Sequence, residues 1–231
     1  MSLRSESIQR WWPATQSLDL VEGPVEAVAK AVETEVRRFV RGEPVATAWQ
    51  PFPSLDAAFG MASDFANVPT VYLVLPTRSR WTVLWNNSFL CDGYDSLCWC
   101  LTTNHGFTTI HWSAHDDTTT FQPGAAFTYR SSLPSGVIER SVYVGREDRR
   151  WLFSESGSPL PEEAVHEYKA KRMRDRLNER LVAELLGRLG AIPWSDDFYA
   201  TASSPCFVLS RSAAPATITR RKVGDVVRQA G

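Results

Sequence analysis

Two histidines and two aspartates lie close together between residues 111 and 117. Imidazole and carboxylate groups can act as general acid and base or bind a metal ion, so an enzyme of unrecognised type would use His111, His115 and Asp116. On a strand the two histidines share a face only while the pairing stays regular, and the glutamate of an H-E-x-x-H helix is absent. We therefore interpret the segment as a strand that ends in an Asp-rich turn, and we predict no catalytic residue.

The cysteines are the second group that could do chemistry, because thiolate and imidazole are preferred zinc ligands. They are Cys91, Cys98, Cys100 and Cys206. The C-x6-C-x-C spacing of the first three differs from the paired C-x2-4-C of structural zinc sites, and their apolar neighbours offer nothing that would lower a thiol pKa. We expect free thiols that pack as small hydrophobic side chains, with no metal and no cofactor.

Sequence motifs for phosphate and acyl chemistry are absent. The chain contains no G-x-x-x-x-G-K-[ST], no G-x-G-x-x-G after a strand and no G-x-S-x-G. Lys and Arg total 25 against 26 for Asp and Glu, so the net charge of -1 provides no overall attraction to nucleic acid or to an anionic membrane. We expect neither as a direct partner.

The N-terminal residues and the apolar runs bear on the compartment. The stretch MSLRSESIQRWWPATQ has no apolar core and no small-residue cleavage site of a secretory signal. No later run approaches the roughly 20 apolar residues that span a bilayer. We therefore expect a cytoplasmic protein.

Apolar residues at helical spacing predict two main helices, each bounded by Gly and Pro. An N-terminal helix is expected over 24–41 and a long C-terminal helix over 162–189. Shorter helices are expected over 54–61 and 94–105.

Runs of β-branched and aromatic residues predict strands. They are expected over 71–75, 81–85, 107–113, 125–130, 137–145, 149–154 and, as a final edge strand, 206–209. The fold class is thus α+β, with an antiparallel or mixed sheet of about five to seven strands packed against the N-terminal helix and the long C-terminal helix. We expect one domain over 1–211 and a flexible C-terminal tail over 212–231.

Basic residues crowd the first half of the predicted C-terminal helix, over 169–180. Glu167, Asp175 and Glu179 interleave with them at distances that suit ion pairs along a helix. This pattern favours a solvated, salt-bridged face, and a surface for protein or RNA is the alternative.

The chain is rich in large aromatic side chains, with nine Trp and eleven Phe. Such rings fill the core of a β-rich domain. Alternatively, part of them stand exposed as anchors of a protein interface, where Trp and Tyr are enriched.

Aromatic, histidine and proline motifs recur through two stretches that together cover roughly residues 70 to 200. The motifs are WTVLWNN at 81–87, GYDSL at 93–97, HGF at 105–107, HWSAH at 111–115, EDRRW at 147–151, PLP at 159–161 and the segment 168–176. In this texture the chain resembles small bacterial proteins that look like immunity partners of polymorphic or interbacterial toxins. The resemblance implies a cytosolic protein that binds a cognate toxin and occludes its active site, and it carries over no binding residues.

An inhibitor of this kind must bury a patch of about 800 Å² on its own side, usually with aromatic or Arg anchors. If the toxin acts on nucleic acid or a nucleotide, its cleft is expected to be basic, and an acidic insert would steer association and block the substrate. The candidate partner-binding residues are Asp92 with Asp95, Asp116 and Asp117 with the adjoining His115, and Asp196 with Asp197. The first choice is the pair Asp116 and Asp117, although each pair also suits a turn or a helix cap.

Two other functions stay open. One is the enzyme that would use His111, His115 and Asp116, and the other is a scaffold subunit of a phage or secretion assembly. We expect the protein to be a monomer or a weak homodimer.

Overall fold

The computed structural model describes residues 4–11, 16–62, 64–88, 94–115, 123–202 and 204–211, together with the backbone of 220–222. The helices are α1 (Glu6–Arg10), α2 (Val25–Phe39), α3 (Leu55–Gly60), α4 (Tyr94–His105), α5 (Met173–Arg176) and α6 (Glu179–Arg188), with 3₁₀ turns at Val165–Lys169 and Asp196–Phe198. The strands are β1 (Ser17–Glu22), β2 (Val45–Gln50), β3 (Asp64–Ala66), β4 (Val71–Pro76), β5 (Trp81–Asn86), β6 (Thr109–His115), β7 (Gly124–Leu133), β8 (Gly136–Glu147), β9 (Arg150–Ser156), β10 (Cys206–Arg211) and β11 (Arg220–Lys222).

Nine of these strands form one antiparallel sheet in the order β2-β10-β4-β5-β1-β6-β7-β8-β9, and β3 pairs separately with β11. The predicted sheet of about five to seven strands is therefore wrong, because the sequence pattern reveals neither β1 nor β2. The prediction that 206–209 forms an edge strand is also wrong. That segment lies inside the sheet, where β10 pairs with β2 on one side and β4 on the other.

The long C-terminal helix predicted over 162–189 is wrong as well. A 3₁₀ turn, α5 and α6 replace it, and Leu177 between the two helices has an extended backbone, with φ -143° and ψ 136°. This conformation allows the Leu177 side chain to pack in the core. Asn178 then begins α6, since its side-chain oxygen accepts a hydrogen bond from the Leu181 amide at 3.1 Å.

Other predicted elements are confirmed. Helices α2, α3 and α4 occupy the expected segments, and β4 and β5 form the expected neighbouring pair. The four strands from β6 to β9 also follow the prediction, with shifted ends. These are the segments in which hydrophobic periodicity or β-branched content is strong.

The two faces of the sheet pack against different helices. Helices α2 and α4 share one core with Val74, Leu84 and Leu209 of the sheet. Helices α1, α3 and α6 share the larger core on the opposite face, which contains Trp81, Trp85 and Phe127. The face covered by α2 and α4 carries the candidate sites described below.

One row of directly opposed residues crosses all nine strands on the α2 and α4 face. From β2 to β9 it reads Trp49, Phe207, Val74, Leu84, Asp19, His111, Thr128, Ser141 and Ser156. Opposed residues of an antiparallel pair share a face, so the row records how the surface of the sheet changes from strand to strand. It is apolar up to β5 and polar from β1 onwards.

The single-domain prediction and the tail prediction remain predictions. Residues 212–219 and 223–231 lie outside the described part of the chain, and the backbone of β11 between them pairs with β3. No helix within the described residues is long and apolar enough to cross a membrane.

Candidate functional site

The polar half of the sheet extends beyond helix α4. This helix contacts β1, β6 and β7, and the side chains that β8 and β9 carry on the same face are exposed or half-buried. We call this surface the hydroxyl face, and its residues are Thr128, Ser141, Tyr143, Leu152, Ser154 and Ser156. Leu152 is 42% exposed, which is a large fraction for an apolar side chain in a strand.

Tyr143 supplies the only large ring among the six residues of the hydroxyl face. Its hydroxyl donates to Glu147 Oε1 at 3.1 Å and lies over Gly145, where an added Cβ would stand 1.9 Å from the hydroxyl oxygen. Glycine at 145 thus leaves room for the ring to lie along the sheet. The hydroxyl groups of Thr128 and Ser141 meet at 3.1 Å beside it.

The rim of this face next to α4 is charged. Arg130 of β7 pairs with Asp95 at 2.7 Å and with Glu139 at 2.6 Å, and its guanidinium carbon lies 5.7 Å from the centre of the Trp99 ring. Trp99 is 46% exposed and Asp95 is also exposed. Asp95 therefore lies at the surface as an ion-pair partner of Arg130, and its role as a partner-binding residue stays a prediction.

His111 lies at the boundary between the two halves of the sheet. Its Nδ1 atom is 2.8 Å from Oδ1 of Asp19, which is the opposed residue on β1 and is fully buried. A carboxylate in this position fixes the tautomer and orientation of the ring. His111 is thus positioned by a residue that the sequence did not single out.

The environment of Asp19 disfavours its charged form. Burial raises the pKa of this carboxyl group, and the hydrogen bond and charge of His111 offset the effect only in part. The Cys98 thiol lies against the carboxyl group, and yet Oδ2 has no hydrogen-bond partner of good geometry. Burial and the neighbouring Asp19 also raise the pKa of Cys98 well above its usual value, which makes this thiol a poor nucleophile.

His115 is held by a different partner at the end of β6. Its Nδ1 atom is 2.7 Å from Oε1 of the buried Gln16. The ring borders a small pocket of about 170 Å³, whose other polar lining comes from Arg4, Arg174, Asn178 and Glu179. His111 and His115 are therefore engaged by separate partners, and the described residues do not join them into one site.

The first-choice pair of acidic residues lies outside the described part of the chain. Asp116 and Asp117 follow directly after His115 and lie outside the described residues, as does Asp92. Their assignment as partner-binding residues stays a prediction.

Asp196 and Asp197 begin the second 3₁₀ turn, and their environments differ. The Asp196 carboxylate accepts hydrogen bonds from the hydroxyl groups of Ser5 at 2.5 Å and Ser7 at 2.9 Å. It thereby links the α1 region to the segment between α6 and β10, in a structural role. Asp197 is exposed and remains a candidate for contact with a partner.

A second buried carboxylate, Glu35 of α2, binds side chains of α4. Its Oε1 atom lies 2.9 Å from His105 Nε2 and 3.1 Å from Asn104 Nδ2. This contact joins α2, which packs on β4 and β10, to α4, which packs on β1, β6 and β7.

The described cysteines are free thiols, as predicted. Cys98, Cys100 and Cys206 are free, and burial raises the pKa of each thiol, that of Cys206 to about 11. Among the described residues, no group of three or more His, Cys, Asp or Glu side chains could hold a metal ion. Cys91 lies outside them.

The basic segment over 169–180 is irregular instead of helical throughout. Arg180 pairs with Glu184 one helical turn away, and Arg176 donates to the carbonyl of Ala170 at 3.0 Å. Arg174 lies 3.7 Å from Asp175. The predicted salt-bridged face is thus present in part, although the helix predicted to carry it is broken.

Sequence reasoning did not find the hydroxyl face or Asp19. The sequence shows that Ser141 and Tyr143 lie on one face of a strand, as do Leu152 and Ser154. It does not show which face of the sheet the helices cover. Asp19 lies in the pattern Leu-Asp-Leu-Val, where a charged residue usually marks a solvent-facing position. In a central strand both faces are covered, and the rule fails.

Comparison with known proteins gives no relative. The chain matches no protein-family model, and no match was found among curated proteins or among solved structures.

Proposed function

We propose that this protein neutralises a bacterial toxin by direct binding, and that the hydroxyl face contacts the toxin. The observation that carries the proposal is the uncovered sheet surface on β8 and β9, where hydroxyl side chains surround Tyr143 and the exposed Leu152. Tyrosine and serine are the side chains that adaptable binding surfaces favour, because tyrosine gives contact area at low entropy cost and serine adapts its hydrogen bonds.

The rim next to α4 supports the same role. Trp99 is an exposed large ring of the type that anchors protein interfaces, and the Arg130 ion pairs beside it supply charge that can orient a partner. A stable complex buries about 800 Å² on each partner. The hydroxyl face and this rim together are the continuous surface on which we place that contact.

The histidines favour binding over catalysis. His105, His111 and His115 each contact a buried side chain from a distant part of the chain, namely Glu35, Asp19 and Gln16. In each case the contact joins two segments of the chain. We therefore interpret these pairs as structural links within a binding protein.

An enzyme is the second candidate, and one observation favours it. A buried carboxylate at 2.8 Å from the Nδ1 atom of His111 is the arrangement that orients a general base. The His111→Gln variant separates the two functions. A binder keeps its affinity for the toxin when this ring is replaced, whereas an enzyme loses its activity.

The test is protection of growing cells. The reading frame immediately upstream of this gene is expressed in a bacterial host, alone or together with this protein. We expect growth arrest without the protein, rescue with it, and a complex of the two proteins that can be purified. If neither rescue nor a complex is observed, the proposal is wrong.

The surface is tested with two variants that introduce the same side chain. Ser154→Lys places a long charged group in the hydroxyl face, and it should weaken toxin binding at least tenfold, about 1.4 kcal/mol. Thr47→Lys places it on β2 at the opposite edge and should leave affinity unchanged. Urea unfolding of both variants checks that they are folded. Equal affinity of the two variants would place the contact on another surface.

A further inference from the structure

Strand β2 forms an edge of the sheet without the features that usually protect an edge. Its six residues read VATAWQ, contain no ionisable side chain and are mostly exposed. Within the described residues only β10 pairs with it. Natural edge strands are commonly protected by charges, bulges or an internal proline, because an unprotected edge pairs with another strand.

A hydrogen bond of β10 shows which residues of β2 point their backbone N–H and C=O groups away from the sheet. Arg211 donates its backbone N–H to the carbonyl of Thr70 at 2.9 Å and therefore points towards β4. Successive residues of a strand point their backbone groups to alternate edges. The residues of β10 that point towards β2 are thus Cys206, Val208 and Ser210.

The β2 residues opposite Cys206, Val208 and Ser210 point their backbone groups towards β10. The remaining β2 residues point theirs to the outer edge of the sheet. Those opposite are Gln50, Ala48 and Ala46. The N–H and C=O groups of Val45, Thr47 and Trp49 are therefore on the outer edge. In agreement, the Val45 carbonyl accepts a hydrogen bond at 3.3 Å from the guanidinium of Arg37 on α2, which leaves its second lone pair.

We propose that a second copy of this chain docks antiparallel on β2 and continues the sheet across a twofold axis at Thr47. In this register Thr47 of one copy lies opposite Thr47 of the other, and Val45 lies opposite Trp49. Every outward residue then meets an outward residue, so each pair can exchange two backbone hydrogen bonds. An axis at Ala48 would place Val45 opposite Pro51, which has no N–H group.

The side chains of β2 match this register. Trp49 opposite Val45 is an aromatic and β-branched pair, and Thr47 opposite Thr47 can share a hydroxyl hydrogen bond, both of which stabilise antiparallel strands. Ala46 lies opposite Ala48 on the other face, beside a trough of about 410 Å³ that is also lined by Met61, Val208 and Ser210. Small side chains there let the two copies approach without a clash.

The charges and prolines near β2 are compatible with self-association. Glu43 lies before the strand, and both of its carboxylate oxygens bind Arg211, at distances of 2.7 to 3.0 Å. It therefore brings no unpaired negative charge to the junction. Pro44 and Pro51 bracket the strand and limit pairing to its six residues, which keeps the register from sliding.

The contact is small. A single strand pair with one exposed Trp buries less than the standard interface of about 800 Å² on each partner, so we expect a weak dimer with a dissociation constant on the order of 10 μM. The axis is perpendicular to the sheet and keeps α2 of both copies on one side. The two hydroxyl faces then lie at opposite ends of one continuous sheet.

Sedimentation equilibrium of the full chain over about 1 to 500 μM tests the proposal. Wild type should dimerise, and Thr47→Lys should raise the dissociation constant at least tenfold, because like charges would lie directly opposite on the axis. Mixing Thr47→Lys with Thr47→Glu should restore the dimer, since the opposed charges then attract. Ser154→Lys is the matched control and should dimerise as wild type does.

Each other outcome overturns the proposal. A monomer at all concentrations excludes a second copy and leaves the edge to a strand of a different protein. A dimer that appears only after deletion of residues 212–231 means that this chain's own C-terminal segment occupies β2. A dimer that Thr47→Lys does not weaken uses another surface. None of these results depends on whether the protein binds a toxin, because sedimentation of the purified chain involves no toxin.

Discussion

The two halves of the sheet meet at β1 and have opposite chemistry along one row of residues. Towards β2 the row continues through Leu84, Val74 and Phe207, which are buried in the core shared with α2 and α4. Towards β9 it continues through polar side chains to the uncovered Ser156. The same strand scaffold thus forms a core on one side of β1 and a surface on the other, and Asp19 lies at the change.

The two edges differ in the same way. Strand β2 carries no charge, whereas β9 begins with Arg150 and contains Glu155, and such charges discourage pairing with a further strand. The face of β9 opposite the hydroxyl face is covered, because α5 packs against this strand and Phe153 contacts Tyr168. The two edge strands thus differ in their protection against pairing with a further strand: β9 carries charged side chains, and β2 carries none. The following predictions test the contrast.

The largest effect is expected at the buried ion pair that anchors the β9 half. Glu163 is fully buried, and it binds Arg140 at 2.8 Å, the Leu160 amide and the Tyr168 hydroxyl. Burial lowers the pKa of Arg140, but the hydrogen bonds that its guanidinium donates to Glu163 and Glu155, and their charges, outweigh this effect and raise the pKa. Glu163→Ala leaves the buried guanidinium without its main partner, so the free energy of unfolding should fall by about 3–5 kcal/mol.

Urea unfolding measures this loss, and Glu155→Ala is the control. Glu155 pairs with the same guanidinium at 2.7 Å but is 42% exposed, so its removal should cost less than about 1 kcal/mol. Similar losses for both variants would mean that this half needs no buried ionic link.

The next effect separates the inner and outer backbone groups of β2. Ala48→Pro removes an N–H that points to β10 and should lower the free energy of unfolding by about 1–3 kcal/mol through a lost hydrogen bond. Thr47→Pro removes an outward N–H and should cost clearly less, while it weakens the dimer. Unfolding in urea at low protein concentration compares the two variants as monomers. The reverse order would show that the outward residues are Ala46, Ala48 and Gln50, and the proposed register would be wrong.

The smallest effect concerns Asp19 at the boundary and depends on pH. Burial raises its pKa above 3.8 in the folded chain, so protonation favours folding. The stability that comes from the protonated form is fully present below about pH 4 and is lost as the pH rises through the raised pKa of the folded chain. Asp19→Asn keeps an acceptor for His111 and cannot ionise. The stability of this variant relative to wild type should therefore increase as the pH rises above about 4.

Paired unfolding curves of wild type and Asp19→Asn at several pH values measure this difference, in which the titration of all other groups largely cancels. His111→Gln serves as the control, because Asp19 keeps its burial while losing the imidazole. A stability difference that does not change with pH would show that Asp19 has an ordinary pKa. The charged carboxylate would then not destabilise the fold.

The sequence predicts those parts of the fold in which local pattern and burial agree. Helix α2 has a clear apolar stripe and β4 a run of β-branched residues, and both are confirmed. Strand β1 is hidden because Asp19 interrupts its apolar residues, and β2 because alanines and flanking prolines are typical of a loop. The length of the C-terminal helix is overestimated. Apolar residues on one face of a helix are three or four positions apart, but Tyr168 and Met173 are five positions apart.

The candidate site is less predictable than the fold, because its partners are distant in sequence. Asp95 and Asp196 suit helix caps, and their contacts with Arg130 and with Ser5 join segments that are far apart in the sequence. The pairing of Asp19 with His111 depends on the register of β1 and β6. Neither local spacing nor composition contains that register.

The position of β10 between β2 and β4 has a consequence for the order of events during synthesis. Strand β4 ends at Pro76, and β10, which covers its outer edge, does not begin until Cys206. At 5–20 residues per second a ribosome needs on the order of ten seconds to supply the intervening chain. During this interval the apolar β4 and the whole of β2 lack their common neighbour. Nascent chains of this protein are thus exposed to misfolding until β10 has left the ribosome, because β2 joins the sheet only through β10.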